Sequence, residues 1–209
     1  MKLQGENISF KYPSSKEYII KDLNISLKSN EIKGIVGDSG CGKSTLCKIL
    51  SGYNKSEGKI TIDGIENNAK NKFNPIQLIF QHPELTMNPK WKMKDILFES
   101  WDVDSELIEE FGIQKSWLNR WPNELSGGEL QRFSVLRALS PKTKFLICDE
   151  ITTMLDAVTQ VQIWDLVTKI AKDRNIGLLV VSHDKALVER ICDDVIYFDE
   201  INQSNLKEL

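Results

Sequence analysis

The segment Gly37-Asp38-Ser39-Gly40-Cys41-Gly42-Lys43-Ser44-Thr45 constrains this chain more than any other, because it fits G-x-x-x-x-G-K-[ST]. An apolar run, Ile32 to Val36, precedes it, and a helical pattern of Leu46, Ile49 and Leu50 follows. That is the strand–loop–helix setting the pattern needs. Its glycines let the backbone curl so that several N–H groups point at one anion. The helix start adds a partial positive charge. Lys43 would reach the outer phosphates of a nucleotide, and Ser44 would offer its hydroxyl to magnesium. A plain glycine-rich turn before a core helix is the competing reading, and the agreement of context with pattern argues against it.

Size and composition leave room for such a site and exclude several others. The chain has 209 residues, 41% of them apolar, enough for one large domain with a real core. A net charge of −3 and the lack of a basic tail argue against a general nucleic-acid binder. The four cysteines, Cys41, Cys47, Cys148 and Cys192, form neither a C-x-x-C pair nor a metal-ligand spacing, and read as reduced thiols of a cytosolic protein. Cys148 lies in an apolar run, as a small core residue does. Met1 leads straight into a strand-like segment, so no leader is expected. No apolar run approaches the roughly 20 residues that span a bilayer.

Patterning predicts a mainly parallel α/β fold. Leu3–Phe10 and Asn24–Leu27 alternate as half-exposed antiparallel strands do. Gly58–Ile62 runs into an Asp63-Gly64 turn, and Ile76–Phe80, Phe145–Asp149, Gly177–Ser182 and Val195–Phe198 are strand candidates. Helices are expected at Asp95–Trp101, Ser105–Phe111, Val158–Arg174 and Asp184–Ile191. The third would turn Val161, Leu166, Val167 and Ile170 inward. Strands alternating with helices imply helices on both faces of the sheet. The stretch from His82 to about Pro122 carries Trp91, Trp101, Trp117 and Trp121 and reads as a helical lobe between two strands. Its tryptophans suit either a lobe core, the favoured use, or a docking surface. The expected organisation is a single domain over 1–209. Residues 1–82 and 140–209 form the core, with an antiparallel subdomain at the N-terminus, and 83–139 the lobe.

Hydrolysis needs more than a phosphate loop. Phe145-Leu-Ile-Cys-Asp149-Glu150 is a buried strand ending in two carboxylates, and ligands of open α/β sheets sit beyond the carboxyl ends of strands. Asp149 would contact magnesium or its water shell, and Glu150 would act as general base on water. Acids that simply end a strand are the alternative. Leu125-Ser126-Gly127-Gly128-Glu129 precedes Leu130, Phe133, Leu136 and Leu139 at helical spacing. Ser126 is a good N-cap, and two glycines would let a phosphate approach bare N–H groups. A mere loop and cap is again the competing reading.

With these segments in view, the chain resembles the ATP-binding cassette ATPases. LSGGE at 125–129 is similar to that family's signature. Gln81 stands where the family has its magnesium- and water-contacting glutamine, and His183 resembles the switch histidine at the terminal phosphate. Asp156 falls in the loop that links two active sites, and Tyr12 resembles the aromatic that stacks on adenine, with Phe10 as competitor. The motifs run in family order from residue 12 to 183. The resemblance implies ATP and Mg2+ as ligands. It also implies a head-to-tail pair in which Ser126, Gly127, Gly128 and Glu129 contact a partner chain's nucleotide, in a homodimer or a heterodimer.

Phe80-Gln-His-Pro, Asn88-Pro89, Trp121-Pro-Asn-Glu-Leu-Ser-Gly-Gly, Gln131-Arg132 and Ile191-Cys-Asp-Asp-Val narrow the resemblance to the dipeptide, oligopeptide and nickel importers. This branch implies two permease subunits touched by the lobe, an extracytoplasmic solute-binding protein, and a peripheral place on the cytoplasmic membrane face. Glu129 stands where the family mostly has Gln. Ile-Thr-Thr-Met follows Glu150 instead of a Pro-containing stretch, and Ser29-Asn30-Glu31 replaces a common Gly-Glu turn. The chain ends soon after its last strand, without the extension of many peptide-importer ATPases, which leaves nickel or another small solute open. A nucleotide-gated assembly module of a soluble complex, as in phosphonate processing, is the alternative function. A cassette acting on DNA or ribosomes lacks its expected insertion, tandem copy or basic stripe.

Overall fold

The computed structural model describes residues 1–67, 73–153 and 155–202. Met154 and the stretches 68–72 and 203–209, which the expected spans include, lie outside the described residues.

Among the described residues nine strands form two sheets. Strands β1 (Lys2–Phe10), β2 (Ile20–Lys28), β4 (Glu57–Ile62) and β5 (Ile65–Glu66) make an antiparallel sheet in the order β2-β1-β4-β5. Strands β3 (Ile32–Val36), β6 (Ile76–Ile79), β7 (Phe145–Asp149), β8 (Gly177–Ser182) and β9 (Asp194–Tyr197) make a parallel sheet in the order β6-β7-β8-β3-β9. The segment between β6 and β7 is helical: α2 (Met93–Leu97), α3 (Ser105–Glu110) and α4 (Gly127–Ala138), with 3-10 turns at Pro83–Thr86, Trp117–Asn119 and Pro122–Glu124. Helix α1 (Lys43–Leu50) follows β3, α5 (Ala157–Asp173) precedes β8, and α6 (Lys185–Ile191) and α7 (Phe198–Ile201) flank β9.

The two-residue period of the central strands divides the core. Leu146, Cys148, Leu178 and Val180 face a cluster with Phe133, Leu136, Trp164 and Val167 of α4 and α5. Phe145, Ile147, Leu179 and Val181 face the opposite cluster, with Leu46 and Ile49 of α1 and Leu3, Ile8 and Leu27 of the antiparallel sheet. Burial on both faces explains why β7 and β8 read as apolar runs; β3 is buried too, but carries Lys33, whose ammonium pairs with Glu31 and Asp194. One face of the sheet therefore meets α1 together with a second sheet.

Several sequence expectations need correction. Val161 is exposed, as is Val158; the inner stripe of α5 is Ile163, Trp164, Val167, Ile170 and Ala171. Trp164, the fifth tryptophan, is the buried one there, and its indole N–H donates to Thr152 Oγ1 at 3.0 Å. In the helical segment Trp117 is buried, whereas Trp91 and Trp121 are 41% and 44% exposed, so lobe core accounts for only part of that cluster. Helix α2 starts earlier than expected and stops at Leu97, with Phe98 as its C-cap; Trp101 lies beyond it and donates its indole N–H to Arg137 O at 3.2 Å. The last strand ends at Tyr197; Phe198 begins α7 and packs beneath the glycine-rich loop.

Candidate functional site: four strand ends around the glycine-rich loop

Four parallel strands deliver the candidate residues to one edge of the sheet. The loop 37–42 leaves β3, Gln81 follows β6, Asp149 and Glu150 end β7, and His183 follows β8. The pairs Ile79↔Cys148, Asp149↔Val181 and Val36↔Ser182 put these strand ends level with one another. Residues far apart in the chain thus converge beyond the carboxyl ends of the strands.

The loop is built around left-handed glycines. Gly42, the N-cap of α1, has φ 116°, and a side chain there would stand 3.2 Å from Ile19 O. No side chain caps the helix at this end. Lys43 is buried, its ammonium donating to Gly37 O and Asp38 O at 2.7 Å each and lying 3.8 Å from Cys41 Sγ. Ser44 Oγ donates to Asp149 Oδ1 at 3.0 Å, joining the loop to the end of β7. Burial pushes the Asp149 carboxyl above the ordinary carboxylate range, and the Ser44 bond works against that rise.

Glu150 adopts φ 49°, a left-handed conformation that costs a non-glycine residue about 1–2 kcal/mol. Its N–H is held by Val181 O at 2.9 Å. The carboxylate turns toward the site, with His183 Nδ1 3.2 Å and Gln81 Nε2 3.4 Å from the same oxygen, Oε2. His183 is placed by a short turn in which Ser182 Oγ accepts from Asp184 N–H and Asp184 caps α6.

The chemistry of these donors fits a magnesium ion. Among the described residues no three His, Cys, Asp or Glu side chains gather into a metal cage. Ser44 and Asp149 offer hard oxygens side by side, and Gln81 lies with them along the same cleft of about 780 Å³. Magnesium is held by one or two such oxygens together with substrate phosphates and water.

The remaining candidates lie around this centre. Tyr12, just past β1, is 40% exposed and its hydroxyl shares a hydrogen bond with Thr45 Oγ1 at 2.9 Å. Phe10 meets the Tyr12 ring edge-on at 5.0 Å and packs against the core, so Tyr12 is the more open of the two aromatics. Ser126 and Glu129 bond to one another across the start of α4. Ser126 Oγ accepts from Glu129 N–H at 3.3 Å, and Glu129 Oε2 accepts from Ser126 N–H at 2.7 Å. Asp156 caps α5, accepting from the N–H groups of Val158 and Thr159. Leu155 lies under Gly128, where a side chain would stand 3.5 Å from its Cδ2. Cys148 is fully buried, and burial raises its thiol pKa, consistent with an inert core residue.

Sequence reasoning gave Thr153 no role and read Arg132 only as part of the importer resemblance. Thr153 Oγ1 lies 3.3 Å from Gln81 Nε2. Arg132 donates to Phe111 O and Gln162 Oε1, tying α4 to its neighbours. Nothing in the local pattern marks Thr153, and the Glu129 side of the cap, which the S-x-x-E spacing carries, was not read from the sequence.

Comparison with known proteins agrees with this geometry. A family model described as ABC transporter matches residues 20–153. The chain is 32% identical over 215 residues to the oligopeptide transport ATP-binding protein OppF of Bacillus subtilis, covering 92% of this chain and 70% of that protein. It is 32% identical over 208 residues to the nickel import system ATP-binding protein NikE of Staphylococcus aureus, covering 93% of this chain and 85% of that one. A solved dimeric ATP-binding cassette in a post-hydrolysis state with ADP and phosphate superimposes with a TM-score of 0.81 at 26% identity, covering 97% of this chain and 95% of that one. With more than half its length matched and its strand ends arranged around a phosphate loop, the chain belongs to the ABC transporter family, as an ATPase.

Proposed function

We propose that the chain is the ATP-hydrolysing subunit of an importer that takes up a small solute: a peptide, nickel or a related metal complex. The observation that carries this reading is the meeting of Ser44 with Asp149, and of Glu150 with Gln81 and His183, at the strand ends beside the loop that holds Lys43. The transport names of the oligopeptide and nickel relatives support the importer role and do not favour a soluble assembly module.

In this mechanism the N–H groups of residues 37–45 bind the phosphates of ATP. Lys43 exchanges its two backbone carbonyls for the outer phosphates. Ser44 and Asp149 would hold a magnesium ion, with Gln81 as a further oxygen donor; when bound, the ion would offset phosphate charge. Glu150 takes the proton of the attacking water, and His183 orients the Glu150 carboxylate and faces the terminal phosphate. Tyr12 stacks on the adenine. Ser126, Gly127, Gly128 and Glu129 cover the nucleotide of a second ATPase chain, and Asp156 lies in the loop between the two sites. Two permease subunits dock on the helical segment between β6 and β7, where Leu85, Trp91 and Phe98 are exposed. Among the described residues no helix is long and apolar enough to cross a membrane. The chain is placed at the cytoplasmic face through these partners.

Glu150→Gln tests the reading: turnover should fall about 10²- to 10⁴-fold, the range for a positioned general base, with ATP binding retained. Wild-type turnover in that variant overturns the assignment.

A further inference from the structure

We infer that the Thr153 hydroxyl is a positioning group that parks Gln81 on the catalytic carboxylate while no nucleotide is bound. The inference rests on the functional reading above and adds a residue to it. Gln81 Nε2 has two hydrogens and two acceptors: Glu150 Oε2 at 3.4 Å and Thr153 Oγ1 at 3.3 Å. Thr153 gives its own hydroxyl proton to Glu150 O at 2.9 Å, which leaves its lone pairs for the glutamine. The side-chain amide therefore spends its donor end on the loop after β7, and the oxygen of Glu150 that receives it is shared with His183.

The two threonines of this loop divide the work. Thr152 is buried and accepts from the Trp164 indole at 3.0 Å, anchoring the loop to α5. Thr153 is exposed, and the turn it closes also has the backbone bond from Thr153 N–H to Glu150 O. The fold thus has a substitute for its hydroxyl, whereas the Gln81 amide would be left with the Glu150 carboxylate as its one remaining acceptor of the two. To serve a cation, Gln81 must leave both acceptors and present its carbonyl oxygen. A parked population lowers the apparent affinity for the magnesium complex in proportion to the fraction held closed.

Equilibrium binding to the full chain tests this without turnover. Thr153→Val should bind magnesium AMP-PNP about two- to tenfold more tightly, the range for removing one hydrogen bond. Binding of AMP-PNP in EDTA should stay at the wild-type value. Thr153→Ser should restore wild-type binding. In a Gln81→Ala background Thr153→Val should change nothing, because its effect acts through the glutamine. Thermal melting confirms that each variant is folded. Equal shifts with and without magnesium, a Ser variant that behaves like Val, or a Val effect that survives in Gln81→Ala overturns the inference. A wild-type chain that binds no nucleotide overturns the functional reading itself.

Discussion

The chain contains two glycine-rich helix starts, and they are satisfied in opposite ways. At α1 no side chain caps the helix, Gly42 holds a left-handed conformation, and the Lys43 ammonium folds back on the loop's own carbonyls. At α4 the cap is closed: Ser126 and Glu129 exchange hydrogen bonds, and the glutamate's charge sits at the positive end of the helix dipole. Gly127 shows the contrast most plainly, since a side chain there would meet nothing within 4 Å. The first start is shaped for an anion inside one chain. The second is stable by itself, so an anion reaching it must compete with its own cap. On the proposed function, an anion brought by a partner chain would meet this cap together with that chain's other contacts.

Variants at the two starts would break this comparison if they behaved alike. The largest effect belongs to Lys43→Ala, which removes a charge-assisted contact worth about 1.5–3 kcal/mol. Nucleotide affinity should fall by about tenfold or more, measured by titration calorimetry. Gly42→Ala comes next: a left-handed alanine facing Ile19 should cost about 1–3 kcal/mol of stability in urea unfolding and weaken nucleotide binding. Its counterpart Gly127→Ala should leave both stability and single-chain nucleotide binding close to wild type, while impairing ATP-dependent pairing in size-exclusion chromatography. Ser126→Ala should cost about 1 kcal/mol through the lost cap, again with nucleotide binding by the isolated chain intact. Equal losses of single-chain binding from Gly42→Ala and Gly127→Ala would show that both starts serve one chain's nucleotide.

Much of the fold was legible because local and global demands agree. The strands β7 and β8 are buried on both faces, so their runs are apolar without alternation. The acids Asp149 and Glu150 mark the end of β7, where ligands of such sheets gather. Elsewhere the pattern was misleading. Val161 looks like part of an inner stripe, but the side of α5 that meets the sheet is chosen by Trp164. Trp91 and Trp121 raise the apolar count of the helical segment without entering its core, because they lie on its outer surface.

The sequence by itself determined the phosphate loop, the strand-end acids and the S-x-x-E start of α4, because each is a relation among residues a few positions apart. Only the tertiary structure decided that Gln81, Glu150, Thr153 and His183 share one hydrogen-bonded cluster, and that Ser44 bonds Asp149. Those meetings depend on the parallel register of β6, β7, β8 and β3, set by core packing on both sheet faces. No local pattern carries that information: the chain between these strands is long, and register is a property of the strands together.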